Sequence, residues 1–399
     1  MLSRCFLAAG FAALAYAANP TRLYVASYAG TVSTVELNSA GQLEVTSTAT
    51  ECALTPSWLT LDQRKKLLYC TDRDLTSGNG TLNTFKTSSD GRLEHLSRVP
   101  TIPGTVSSVT YGKDANGLAI AAYQTSTFQT FDVSNPKAPK FQQAWTYTLE
   151  KPGPVLPNQE APHPHQTVLD PTGKYVLVPD LGADIVRLFA VDSKSLLLKP
   201  LDPLVTLPPG TGPRHAAFHV TKDKKTLLYI VGELANTVAT YEVTYPKGQS
   251  PQAKLLQSIS TFGEGNSAPS GTSASEVQVT DADIAQDDGR FVVVSSRGDK
   301  TFTLPNFDPT NSTEIASDSI MTFGIDSHTG TLDLLQVFPS GGRVPRHFEI
   351  NNVGTLVAVG LQSDARVVLI DRDAKTGSLK GFKANITIPG EIVAAIFDE

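Results

Sequence analysis

The sequence predicts an all-β fold, a seven-bladed β-propeller closed by pairing of its N- and C-terminal strands in one blade. Three observations predict it. An apolar strand that ends five residues on at a polar side chain recurs seven times, as Leu23–Tyr28, Leu67–Asp72, Ala119–Gln124, Tyr175–Asp180, Leu228–Glu233, Val292–Arg297 and Val357–Gln362. A second, shorter strand precedes six of them, as Ser57–Leu61, Ser107–Tyr111, His165–Leu169, Arg214–Phe218, Ser275–Val279 and Arg346–Ile350. The partner missing before Leu23 lies at the far end, as Pro389–Phe397.

Ring closure requires that permutation. A C-terminal strand added to the first unit removes the open sheet edge that a linear array would expose. Each unit continues with a third strand, such as Thr81–Phe85 or Val186–Ala190. A polar turn with glycine follows, as in Asp90-Gly91-Arg92-Leu93 and Thr329-Gly330-Thr331-Leu332, and then a fourth strand. Length alone suggests two or three domains, but the repeat points to one, over residues 18–399. No sustained helical periodicity occurs after residue 17. Three longer connections stand out: a Pro-rich crossing at 150–162, a Gly/Ser-rich loop at 263–274 and an insertion at 304–319.

Residues 1–17 read as a signal peptide, with Arg4 before the apolar run Cys5–Ala17 and small residues in Ala15-Tyr16-Ala17. The run is short of the ~20 residues that a membrane-spanning anchor needs. The expected product begins at Ala18 and is secreted and extracellular. Three sequons, at Asn79, Asn311 and Asn385, suit glycosylation of exposed turns in a secreted glycoprotein. Cys52 and Cys70 then remain as an even pair, for which a disulfide is expected and two buried thiols are the alternative. Without Arg4 the net charge is −7, from 32 basic and 39 acidic residues. With no basic block, nucleic acid and membrane surfaces are excluded as partners, leaving a small molecule.

Propeller geometry then selects candidate residues without any motif. Residues opening each inner strand and closing each second strand meet around one mouth of the central channel. Four consecutive units place there His163, His165 and Asp180, then Arg214, His215 and Glu233, then Glu276 and Arg297, then Arg346, His347 and Gln362. The other units supply Ser57, Ser107, Gln124 and Tyr28, with Asp72 the exception, so the mouth is chemically lopsided. Four of the seven histidines fall at this rim. A cluster of Arg, His and Glu in a concave site is costly unless its members are paired or used, and a ligand with carboxylate or lactone oxygens would use them. The spacing of His163 and His165 also admits a metal, with His215 or Glu233 completing a set, but Arg214 and Arg346 are poor neighbours for a cation. A serine or cysteine nucleophile is weaker still, since no G-x-S-x-G elbow occurs.

With these residues in hand, the chain resembles the lactonase family of seven-bladed propellers. That family includes 6-phosphogluconolactonases, fungal carboxy-cis,cis-muconate lactonising enzymes and secreted aldonolactonases. The resemblance is carried by Pro162-His163-Pro164-His165-Gln166, Asp170-Pro171-Thr172-Gly173-Lys174-Tyr175, Val178-Pro179-Asp180-Leu181-Gly182-Ala183-Asp184, Gly212-Pro213-Arg214-His215, Glu233-Leu234, Arg297-Gly298 and Pro345-Arg346-His347-Phe348. It implies a cofactor-free active site with His163 or His165, Arg214, Glu233 and Arg297 as the catalytic set and Glu276 and Arg346 close by. Gly232 and Ser295 depart from the asparagines usual in relatives, and Val220-Thr221 departs from a Pro-Asp turn. The expected activity is hydrolysis of an aldonolactone, with His165 first, His163 second, or Glu233 as the base and Arg214 and Arg297 on the oxyanion. A cyclase acting on a muconate, a form of isomerase chemistry, would use the same pocket. A binding module without catalysis is the reading from another class, although Trp58 and Trp145 are too isolated to form a sugar platform in every blade.

Overall fold

The computed structural model describes residues 20–74, 76–280 and 291–399. The expected signal peptide and the cleavage point before Ala18 lie outside the described residues. Seven four-stranded antiparallel sheets make up the seven-bladed propeller. Blade 1 joins Arg22–Ser27, Thr31–Leu37 and Leu43–Ala49 to the C-terminal strand Ile392–Phe397. Blades 2 to 7 follow in order over 56–101, 105–146, 168–206, 213–260, 273–339 and 345–387.

The closing pair runs in the register Leu23↔Phe397, Tyr24↔Ile396, Val25↔Ala395 and Ala26↔Ala394. Arg22 reinforces it through an ion pair to Asp398 at 2.9 Å, and Ser27 Oγ donates to Pro389 O at 2.5 Å. Alternate side chains of this strand serve two interfaces, as strand geometry demands. Leu23 and Val25 pack with Ala358, Leu369 and Ile392 toward blade 7, whereas Tyr24 and Ala26 pack with Leu59, Leu68 and Phe85 toward blade 2. Second strands are therefore covered on both faces, which is why they read as unbroken apolar runs such as LVAVGL at Leu356–Leu361. Outer strands such as Leu93–Thr101 have no buried residue and carry more polar side chains.

Several boundaries differ from the expected ones. The inner strand of blade 4 is only Val168–Leu169, with an isolated bridge Pro164↔Asp180 ahead of it, because residues 165–167 bow out of the ladder. The insertion at 304–319 forms a small hairpin, Phe302–Pro305 with Glu314–Ser317, and exposed Asn311 sits in its loop. Asn79 is also exposed, but Asn385 lies half-buried in the outermost strand of blade 7, opposite Val368, instead of in a turn. Cys52 and Cys70 are disulfide-bonded, with Cα atoms 6.0 Å apart.

A bulge recurs where each inner strand leaves the mouth. The ladder slips between Pro56 and Trp58, Thr105 and Ser107, Pro213 and Ala216, Ala274 and Val277, and Pro345 and His347, and also where Ala26 and Ser27 meet the closing strand. In blade 4, residues 165–167 stand against only Val178 and Pro179. An extra residue in one strand of a pair re-aims its side chain away from the ordinary alternation. In this molecule it aims side chains at the channel.

Candidate active site

The bulges set two layers at one end of the channel. The upper layer holds the residue after each entry position, among them His165, Arg214 and Arg346, together with residues just beyond the second strands. A cavity of about 120 Å³ opens there, lined by Arg73, Val106, Tyr123, Gln124, His165, Glu233, Arg297 and Arg346. Glu233 is its one carboxylate. Its Oε2 meets Arg214 Nε at 2.9 Å and its Oε1 meets Arg297 Nη2 at 2.9 Å. Arg214 lies behind this pair, only 1% exposed, and donates from Nη1 to Ser275 O at 2.8 Å. Burial would raise the Glu233 pKa, but Arg297 and Arg214 outweigh it and hold the carboxyl below its usual range, so it is ionised at neutral pH.

Burial, then the charges of Arg214, His215, Arg346 and Arg297, hold the His165 imidazole well below its ordinary pKa. It is therefore a neutral base at pH 7. Its Nδ1 is buried without a hydrogen-bond partner, which leaves Nε2 as the ring nitrogen on the cavity.

The lower layer holds the next residues along the inner strands: Trp58, His215, Glu276 and His347. His215 Nδ1 meets Glu276 Oε1 at 2.7 Å, and His347 Nε2 lies 3.9 Å from Glu276 Oε2. Trp58 contacts both imidazoles edge to face, with centroids 5.7 Å from His215 and 5.2 Å from His347. Burial raises the Glu276 carboxyl, pushes His215 well down and lowers His347 to about 4.

Of the residues expected at the mouth, the structure brings Gln124, His165, Glu233, Arg297 and Arg346 to the cavity, with Arg214 paired directly behind it. His215, Glu276 and His347 lie beneath it instead of lining it. It does not bring His163, Asp180 or Gln362 there. His163 stacks on Tyr123 at 4.0 Å and bonds Tyr123 O through Nδ1 at 2.9 Å. Asp180 is consumed by His163 N–H at 2.6 Å and by Arg187 Nε at 2.8 Å. Gln362 donates to Glu391 at 2.5 Å.

The reason for the Asp180 error is register. Residues facing the entry prolines are Asp72, Asp180, Gly232 and Leu361, so the position able to reach the mouth is the next one, and of Arg73, Leu181, Glu233 and Gln362 there, Arg73 and Glu233 line the cavity. Aligning Asp72 and Asp180 with Glu233 shifts two blades by one residue, and one residue exchanges the faces of a strand. That slip also hides Arg73, whose Nη1 donates to Tyr28 Oη at 2.6 Å. Tyr123 is missed for the same reason, although Gln124, read at the closing position, lines the cavity beside it.

Among the described residues, no group of three or more His, Cys, Asp or Glu side chains is disposed to hold a metal ion. The arrangement can instead bind anionic oxygens with guanidinium groups beside a neutral imidazole and an ionised carboxylate. The chain belongs to the seven-bladed β-propeller lactonase family, whose model matches residues 22–396. Its similarity to named relatives is spread along the chain. A protein of Arthroderma benhamiae named a probable 6-phosphogluconolactonase is 29% identical over 357 residues, which is 89% of this chain and 83% of that one. The 6-phosphogluconolactonase of Formosa agariphila is 26% identical, over 86% of this chain and 88% of its own length. Among solved structures, a periplasmic gluconolactonase of Pseudomonas aeruginosa shares the fold with a TM-score of 0.74 at 22% identity, covering 95% of this chain and 99% of that one.

Proposed function

We propose that this chain hydrolyses an aldonolactone, and that its cavity favours one bearing an anionic group. The observation that carries the reading is the charge balance at the mouth. Glu233 is shared by Arg214 and Arg297, while Arg73 and Arg346 have no carboxylate partner among the described residues. Two guanidinium groups left so beside one small cavity select a phosphate or carboxylate on the substrate. Arg73 adds a fourth guanidinium to the three that the sequence places at the mouth, and the names of the two curated relatives lend the phosphorylated lactone further support.

In the proposed reaction His165 Nε2 takes a proton from water as the water oxygen adds to the ring carbonyl. Arg297 faces the oxygen that gains negative charge, and Arg214 holds Glu233 and Arg297 in place. The tetrahedral species collapses with cleavage of the ring C–O bond. The departing oxygen takes the proton back from His165, and the product is an open hydroxy acid. Glu233, ionised and facing the cavity, accepts hydrogen bonds from substrate hydroxyls.

The test is acid release in a pH-stat from glucono-δ-lactone, its 6-phosphate and a muconolactone, above the uncatalysed rate. The wild type should open the phosphorylated lactone with the lowest KM. Arg73→Ala should raise that KM about tenfold, one ordinary charge-assisted contact, and leave the neutral lactone nearly unchanged. Arg214→Ala should lower kcat for every substrate. Uncatalysed rates with the wild type and Arg214→Ala alike on all three lactones would turn the reading toward a binding module, and activity on the muconolactone alone toward the ring-closing enzyme. Export is proposed separately from residues 1–17, and protein recovered from the medium should begin at Ala18.

A further inference from the structure

The lower layer is left unused by the reaction above, yet it holds two imidazoles and a carboxylate sealed from solvent. His215, Glu276 and His347 are all under 5% exposed. Their hydrogen-bonding groups form an ordered series. His347 Nδ1 accepts the Ala395 N–H at 3.4 Å, so its proton sits on Nε2, the nitrogen that faces Glu276. Glu276 Oε1 receives His215 Nδ1–H at 2.7 Å and Val277 N–H at 3.1 Å, while His347 Nε2 stands beyond hydrogen-bond reach of Oε2 at 3.9 Å. A neutral His215 with its proton on Nδ1 has a bare Nε2, and that nitrogen is buried with no partner. In the next ring up, His165, Nδ1 is likewise buried and unpartnered, and the two ring centroids are 5.1 Å apart. The two nitrogens are not bonded directly, and a single bridging water is the size of link that spans that separation.

We propose that Glu276 and His215 are positioning residues that act through His165, fixing its proton on Nδ1 and so presenting a bare Nε2 to the cavity. The carboxylate holds His215 Nδ1–H, His215 Nε2 holds His165 Nδ1–H through one water, and the only ring nitrogen left to take a proton from the attacking water is His165 Nε2. Protonating Glu276 reverses the series. The acid would then donate to His215 Nδ1, His215 would donate from Nε2, and His165 would carry its proton on the cavity side, where it cannot act as a base. The charged and titratable groups around the series are Arg214, Glu233, Arg297 and Arg346 from the mouth, His347 beside Glu276, and Glu349 below. Only Glu276 sits at its centre with a hydrogen-bonded imidazole.

This inference deepens the hydrolytic reading and rests on it for its kinetic half. Nitrogen-15 spectra of the imidazoles in the full chain at pH 7 should show His165 protonated on Nδ1 and bare on Nε2. Lowering the pH should reverse that pattern together with a fall in kcat. Glu276→Gln should lower kcat on the order of 10- to 100-fold with little change in KM, and it should abolish the acid limb of the kcat profile, while Glu276→Asp restores part of both. A His165 that carries its proton on Nε2 in the wild type at pH 7 overturns the proposal. So does a Glu276→Gln protein with wild-type kcat and acid limb. If no lactone is hydrolysed, the hydrolytic reading falls, and the tautomer of His165 still decides this one. The spectra of the wild type do so even where the variant fails to fold.

Discussion

At the scale of single residues, the two histidines of Pro162-His163-Pro164-His165 part company. Both are buried, but only His165 borders the cavity, while His163 underpins Tyr123 by stacking on its ring. His165→Gln should therefore lower kcat by about 10²- to 10⁴-fold, the usual loss of a general base, with unfolding little changed. His163→Gln should do the reverse, costing thermal stability and retaining most of kcat. Parallel kinetics and thermal melts of the two variants decide it. The sequence made the pair visible but not the choice between them, since a spacing of two in an extended chain puts both on one side only if the ladder is regular. Here it is not, because residues 165–167 bulge. Arg73 was hidden by the same kind of local fact, a one-residue shift that periodicity cannot reveal. By contrast Glu233 and Arg297 were legible, because each follows or ends a strand whose register the apolar run defines.

At the scale of elements, the inner strands carry both the chemistry and the closure of the ring. Glu349, on the inner strand of blade 7, accepts the backbone N–H of Phe397 in the closing strand. Burial, reinforced by Glu399 and Glu276, raises its pKa to about 8 despite that hydrogen bond. Its folded-state value lies above the unfolded one, so between roughly pH 4.5 and 8 the folded chain keeps a proton that the unfolded chain has lost. This group's contribution to stability is therefore full below that window and falls as pH rises through it. Glu349→Gln keeps an acceptor for Phe397 N–H without a titrating group. Its melting temperature should match the wild type near pH 4.5 and exceed it progressively up to pH 8, as thermal scans across that range would show. Strand existence was legible throughout from apolar runs, whereas the bulges were not, because an extra residue leaves no compositional trace.

At the scale of the whole molecule, closure by distant strands was the feature the sequence revealed most directly, since one unit lacked a strand and the far end supplied it. The register Leu23↔Phe397 through Ser27↔Ile392 is what that pattern required. Removing residues 391–399 would strip blade 1 of its inner strand and bare the edge of Arg22–Ser27. The truncated chain should aggregate on gel filtration and lose cooperative unfolding, whereas a linear array of blades would lose only its last few residues of structure. The charge distribution belongs to this scale too. A chain of net charge −6 gathers arginines from blades 2, 5, 6 and 7 at one opening, and only the wheel geometry brings them together.

The repeated bulge has a consequence for how such a wheel diversifies. At every station around the rim, one residue hangs outside the hydrogen-bond ladder while its neighbours keep the blade intact. Val106, His165, Arg214, Ser275 and Arg346 thus occupy equivalent sockets with unrelated side chains. A new substrate preference can be installed there by exchanging single plugs, and the scaffold that carries them need not be rebuilt.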